Sequence, residues 1–154
     1  MNAEKYTQKS LAAVKAAQEL TIQNQNQQIE QMISGGYEYA APTAGQNIQS
    51  VQMVDLNGDG TQEAVVFLRK ANDEKPLKIL VFEKPNESYE LLCTVESSGS
   101  SIDSVYYEDL TGDGRNELVV GWRISSTVQN VTVYNIGREA IPLMSSSYTR
   151  FVGQ

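Results

Sequence analysis

The chain has 154 residues and a formal net charge of −7 at pH 7, enough for one domain with a real core and the wrong sign for a nucleic-acid partner. It contains no histidine and a single cysteine, Cys93, which excludes histidine acid–base chemistry, His- or Cys-rich metal sites and intrachain disulfides. No apolar run reaches the roughly 18 residues of a membrane span, and the opening residues Met1 to Tyr6 hold neither an apolar signal core nor a lipoprotein cysteine.

Residues 4 to about 33 read as helix. Tyr6, Ser10, Ala13, Ala17 and Leu20 recur at helical spacing as a narrow stripe, and Ile22, Ile29 and Ile33 continue a stripe further on. Thr7 is the expected N-cap and Gly35-Gly36 the stop. The Gln/Asn run from Gln23 to Gln28 is either a solvated helix face or a break between two helices.

Beyond Gly36 the hydrophobic period changes from helical to two-residue. Val51 and Met53 mark a strand, Ala64 to Leu68 a second, Leu77 to Phe82 a third and Tyr89 to Val95 a fourth. Hairpin turns fall at Asn72 to Pro76 and Lys84 to Ser88. After the Ser/Gly stretch Ser97 to Ser101 a second round follows: Ile102 to Leu110, Leu118 to Ile124, Val128 to Asn135 and Ala140 to Met144. Tyr148 to Val152 reads as the opening strand of a third unit.

The two rounds are in register. At an offset of 54 residues, Ser50, Val51, Asp55, Leu56, Gly58, Asp59, Gly60, Glu63, Val65, Val66 and Arg69 each meet the same residue type again. The chain therefore divides into a helical segment over 1–36 and a two-repeat β domain over 37–154, with repeats at about 45–98 and 99–152. Four antiparallel strands per unit of this length match a propeller blade. The fold expected is mainly β with an N-terminal α-helix and two four-stranded blade-like repeats, a partial β-propeller. Two blades cannot close a ring, so their open faces need a cover: the helix, a second copy of the chain, or further repeats of a longer parent.

The strongest motif is the acidic loop between the first two strands of each unit. Asp55, Asn57, Asp59 and Glu63 stand at loop positions 1, 3, 5 and 9, and Asp109, Thr111, Asp113 and Glu117 repeat them. A Gly at position 6 permits the tight turn. Hard cations such as Ca²⁺ take six to eight oxygen ligands, and such a loop supplies them. An EF-hand is excluded because position 12 is Val66 or Val120, inside a strand, where that motif needs a bidentate Glu. Dockerin loops run on into a helix, whereas Ala64-Val-Val-Phe and Leu118-Val-Val-Gly are strand-like. A metal-free Asx-rich hairpin turn is the alternative.

The pattern D-x-[DN]-x-D-G-x-x-[DE] between adjacent strands resembles the FG-GAP/VCBS repeats of integrin-like β-propellers, over residues from about 45 to 152. The resemblance implies Ca²⁺ held by the side chains at positions 1, 3, 5 and 9 and by the backbone carbonyl at position 7. The first site would then be Asp55, Asn57, Asp59, the Thr61 carbonyl and Glu63, and the second Asp109, Thr111, Asp113, the Arg115 carbonyl and Glu117. Thr111 offers only a neutral hydroxyl, so the second site is expected to bind more weakly. The segment is also similar to repeats of envelope lipoproteins of gut Firmicutes, which implies an extracytoplasmic or cell-envelope location, although the chain shows no signal peptide. Residues 1–31 resemble the first helix of the N-terminal domain of the ClpB disaggregase family, but no G-x-x-x-x-G-K-[ST] loop exists to bind nucleotide.

The expectation is a non-enzymatic, calcium-stabilised binding or scaffold module, a fragment of a longer cell-envelope protein. Its partner is an unnamed protein or glycan, with no nucleic acid and no membrane span, and a homo-oligomer is a way to cover open blade edges. Two alternatives stand beside it: a lectin-like surface protein using Trp122, Tyr106 and Tyr107, and a chaperone-associated adaptor acting through the N-terminal helix. Cys93 reads as a buried strand residue, and Arg69 and Arg123 as partners of neighbouring carboxylates.

Overall fold

The computed structural model describes residues 17–149. The stripe positions Tyr6, Ser10 and Ala13, the Thr7 cap and the end of the proposed third unit lie outside them. Within them the helical segment is two helices, α1 over 17–25 and α2 over Gln27–Ser34. The break is Asn26, whose backbone is extended (φ −133°, ψ 112°) and whose Oδ1 accepts from the Ile29 N–H at 3.2 Å. That side chain satisfies a donor that the first turn leaves orphaned, so a new helix starts there. The Asn26 amide also donates to the Tyr89 carbonyl at 3.1 Å and ties the break to the sheet. Helix α2 ends at Gly35, and Gly36 turns the chain with φ +109°.

The buried helix face runs through Ile22, Asn26 and Ile29, with Met32 and Ile33 partly buried. Ala17 and Leu20 are exposed, which corrects the earlier part of the expected stripe. The face turned to the sheet is instead the one through Ile22 and Ile29, which meet Val51, Ala64, Val66, Leu68, Leu80 and Phe82.

The β part consists of two antiparallel sheets. In the first, β2 (Val51–Val54), β3 (Glu63–Arg69), β4 (Leu77–Glu83) and β5 (Glu90–Ser97) form a meander, and the two-residue β1 (Glu38–Tyr39) pairs with the far end of β3 as a fifth strand that the hydrophobic pattern did not reveal. In the second, β6 (Ser101–Glu108), β7 (Glu117–Arg123), β8 (Val128–Ile136) and β9 (Ala140–Thr149) form a four-stranded meander. Tyr148 and Thr149 continue β9, opposite Gln129 and Val128, and so do not open a third unit. The two rounds keep one register: Val51 faces Val66 and Val54 faces Glu63, while Val105 faces Val120 and Glu108 faces Glu117.

The sheets stack face to face. Val65, Phe67, Ile79 and Val81 of the first pack against Ile102, Val105, Leu118, Val120 and Trp122 of the second. Strand β3 thus has helices on one side and a sheet on the other, and Ala64 to Leu68 are almost wholly inaccessible. A strand covered on both faces reads as an unbroken apolar run, as this one does. Strand β9, at the edge of the outer layer, is exposed along nearly its whole length.

Candidate metal sites

The acidic loops join β2 to β3 and β6 to β7, so the shared register carries both to one end of the stack. In each, the position 9 glutamate opens the second strand of the hairpin and points back beneath the loop: Glu63 is 4% and Glu117 1% exposed. Glu63 Oε2 accepts from the Leu56 N–H at 2.9 Å, and Glu117 Oε1 from the Thr111 N–H at 2.9 Å. The position 1 aspartates wind the loop around themselves. Asp55 accepts from Gly58 N–H at 2.9 Å and Gly60 N–H at 2.8 Å, and Asp109 accepts from Gly112 N–H at 2.8 Å and Gly114 N–H at 2.9 Å. These bonds require left-handed backbone at position 4 as well as position 6, with Gly58 at φ +76° and Gly112 at +78°. The position 4 glycine stands in both copies of the motif and is as necessary to the loop as the one at position 6.

Among the described residues two groups of acids can hold a cation. One carboxylate oxygen from each of Asp55, Asp59 and Glu63 lies within 4.8 Å of the others, and Asp109, Asp113 and Glu117 repeat the arrangement. The remaining expected ligands lie in the same loops. Asn57 Oδ1 accepts from the Asp59 N–H at 3.2 Å, and Asn57, Asp59, Thr61 and Glu63 line one pocket of about 190 Å³ with Glu83 and Lys84 at its rim. The Thr111 side chain lies near Asp113 and lowers its pKa. Arg115 gives its N–H to Asp113 at 2.9 Å, while its guanidinium reaches away to the Ile136 carbonyl at 3.1 Å.

The electrostatics differ between the copies. Burial pushes the Glu63 carboxyl above its ordinary range, the neighbouring Asp59 and Asp55 push the same way, and the Leu56 N–H opposes them. Asp113 is held below its ordinary range by the Arg115 N–H and the Thr111 hydroxyl. The sharpest feature is Glu117, which shares a triad with Asp109 and Asp113 and whose Oε2 is buried with no hydrogen-bond partner. A buried carboxylate oxygen in that state costs free energy that a cation would recover.

The other singled-out residues are elsewhere. Trp122 is 2% exposed, and its indole N–H donates to the Tyr134 hydroxyl at 3.2 Å, so it offers no stacking face. Tyr107 is inside too, donating to Gln52 Oε1 at 2.6 Å, whereas Tyr106 is 41% exposed. Cys93 lies in the core between the sheets, where burial pushes its thiol up to about 11. Arg123 pairs with Asp103 at 2.6 Å, and Arg69 Nε is buried with no partner. Asn116, which no motif had marked, bridges the two loops. Comparison of the chain with protein-family models, with characterised proteins and with solved structures finds no match.

Proposed function

We propose that this chain is a non-enzymatic binding or scaffold module whose two acidic loops take Ca²⁺ as a structural ion. One observation carries the reading: Glu117, a member of an acidic triad, buries its Oε2 without a hydrogen-bond partner. A turn closed by hydrogen bonds alone has no need to bury a carboxylate oxygen without a partner. The donor set supports calcium over softer metals, since each loop offers carboxylate, amide or hydroxyl and carbonyl oxygens, and neither histidine nor a nearby cysteine. In this reading the units are blade-like repeats of the FG-GAP/VCBS kind, placed in a cell-envelope protein where calcium is abundant and facing a protein or glycan partner. The ion joins two strands at the loop end and neutralises three clustered carboxylates, which is folding energy and not catalysis.

The test is calorimetric titration of chelator-stripped protein with Ca²⁺, read with the melting temperature. Two binding events and a rise in melting temperature are expected. Absence of both heat and thermal shift would reduce the loops to Asx-rich turns.

A further inference from the structure

The two loops touch, and their contact is made by a residue at a motif position that differs between the two copies. Asn116 precedes Glu117 in the second loop. Its backbone N–H donates to the Leu56 carbonyl at 2.8 Å and its side-chain amide to the Asp55 carbonyl at 2.9 Å. Both acceptors belong to the first loop, one of them to its position 1 ligand residue. Beside them Gly58 lies so close to the second loop that a Cβ there would stand 2.3 Å from the Gly114 carbonyl oxygen. The counterpart of Asn116 in the first loop is Gln62, which is exposed.

These bonds make a continuous path between the two buried glutamates. Glu63 Oε2 holds the Leu56 N–H, the Leu56 carbonyl is held by the Asn116 N–H, and Asn116 is covalently joined to Glu117. The two hydrogen bonds of this path are 2.9 and 2.8 Å long. An ion that fixes Glu117 therefore fixes the donor pair of Asn116, and that pair fixes the Asp55–Leu56 backbone on which the first triad is built. We propose that the two loops form one coupled two-ion unit, with Asn116 the positioning residue through which the second site organises the first. The proposal rests on the calcium reading above, and its own observation is the inter-loop contact. Ordering paid at one site is not paid again at the other, which is positive coupling, and linkage makes the gain equal in both directions.

The experiment is a thermodynamic cycle on the full chain with Ca²⁺ as the probe. Single-site constants come from Glu117→Gln, which leaves the first site, and Glu63→Gln, which leaves the second. Gln keeps an oxygen to accept from Thr111 or Leu56 while removing the charge. The product of the two constants of the unaltered chain is expected to exceed the product of the single-site constants by about 5-fold or more, the lower end of ordinary coupling. In Asn116→Ala, which loses the side-chain bond to Asp55 but retains the backbone N–H to Leu56, the same ratio is expected to fall while both sites still bind. A ratio of one in the unaltered chain would overturn the coupling and leave the calcium sites standing. Unaltered Asn116→Ala coupling would remove Asn116 from the role. Should that variant lose its cooperative melt, the cycle built from the unaltered chain and the two Gln variants decides the coupling, and Asn116→Ser repeats the side-chain test. No Ca²⁺ binding by any form would end the calcium reading and the coupling together.

Discussion

Glu63 and Glu117 show how one residue type at one motif position meets two fates. Glu63 spends Oε2 on the Leu56 N–H, whereas Glu117 spends Oε1 on Thr111 and leaves Oε2 buried without a partner. In the calcium reading proposed above, the neutral Thr111 weakens the second site while the orphaned oxygen of Glu117 gives that site more to gain from a cation. Replacing Glu117 by Gln is therefore expected to change sign with conditions. In chelator the amide can donate to Asp109 or Asp113, and the variant should be more stable than the parent by about 1–3 kcal/mol. In saturating Ca²⁺ it should be less stable than the parent; melting in both buffers checks this. Tyr39 supplies a pH prediction. Its hydroxyl donates to the Glu19 carbonyl at 3.0 Å, and burial together with Glu19 pushes its pKa up to about 12. Between the ordinary value of 10.0 and about 12 the unfolded chain releases a proton that the folded chain retains, so stability is full below pH 10 and falls as pH rises towards 12. Tyr107 and Tyr134, also raised by burial, pull the same way. Urea midpoints across that window should decline, and Tyr39→Phe should decline less.

At the scale of elements, the helix pair is held by a cap and a face. Asn26 both starts α2 and donates to Tyr89, so Asn26→Ala is expected to cost about 1–2 kcal/mol in a denaturant melt. An unchanged midpoint would show that the break is imposed by packing alone. The acidic loops depend on neighbours in a different way. The hairpin register brings positions 1 and 9 of each loop together in the same way in both copies. The contact between the loops needs the sheets to be stacked, since it joins residues about 60 positions apart, such as Asn116 and Asp55 at a separation of 61.

For the molecule as a whole, three layers follow one another: the helix pair, the first sheet and the second sheet. The core between the sheets draws Phe67, Ile79 and Val81 from one repeat and Val105, Val120 and Trp122 from the other, so neither repeat keeps its apolar face covered alone. Unfolding is expected as one transition, with the fluorescence of Trp122, which reports on the second sheet, coincident with far-UV circular dichroism. Two separated transitions would show that the repeats are independent units. The outer face of the second sheet carries Tyr106 at 41% and Met144 at 63% exposure.

Much of this architecture was legible from local pattern. Alternation, turn residues and the 54-residue offset located eight of the strands, because strand period and hairpin chemistry are properties of a few adjacent residues. The acidic loops were legible for the same reason, since their ligands lie within nine positions of one another. The two-residue β1 carries too little pattern to be seen, and Tyr148 reads locally as the start of a new unit because nothing nearby in sequence marks how far an edge strand runs. What tertiary structure decided is environment. Val65 and Val119 are the same residue at the same point of the repeat, yet Val65 is 0% exposed and Val119 is only half-buried, because the second sheet lies on one and not on the other. Asn116 and Gln62 likewise hold the same motif position, and only the stacking of the sheets sets one of them against the neighbouring loop. Local chemistry determined the strands, the turns and the ligand sets; long-range packing determined which copy is covered, which carboxylate is left without a partner, and that the two loops meet.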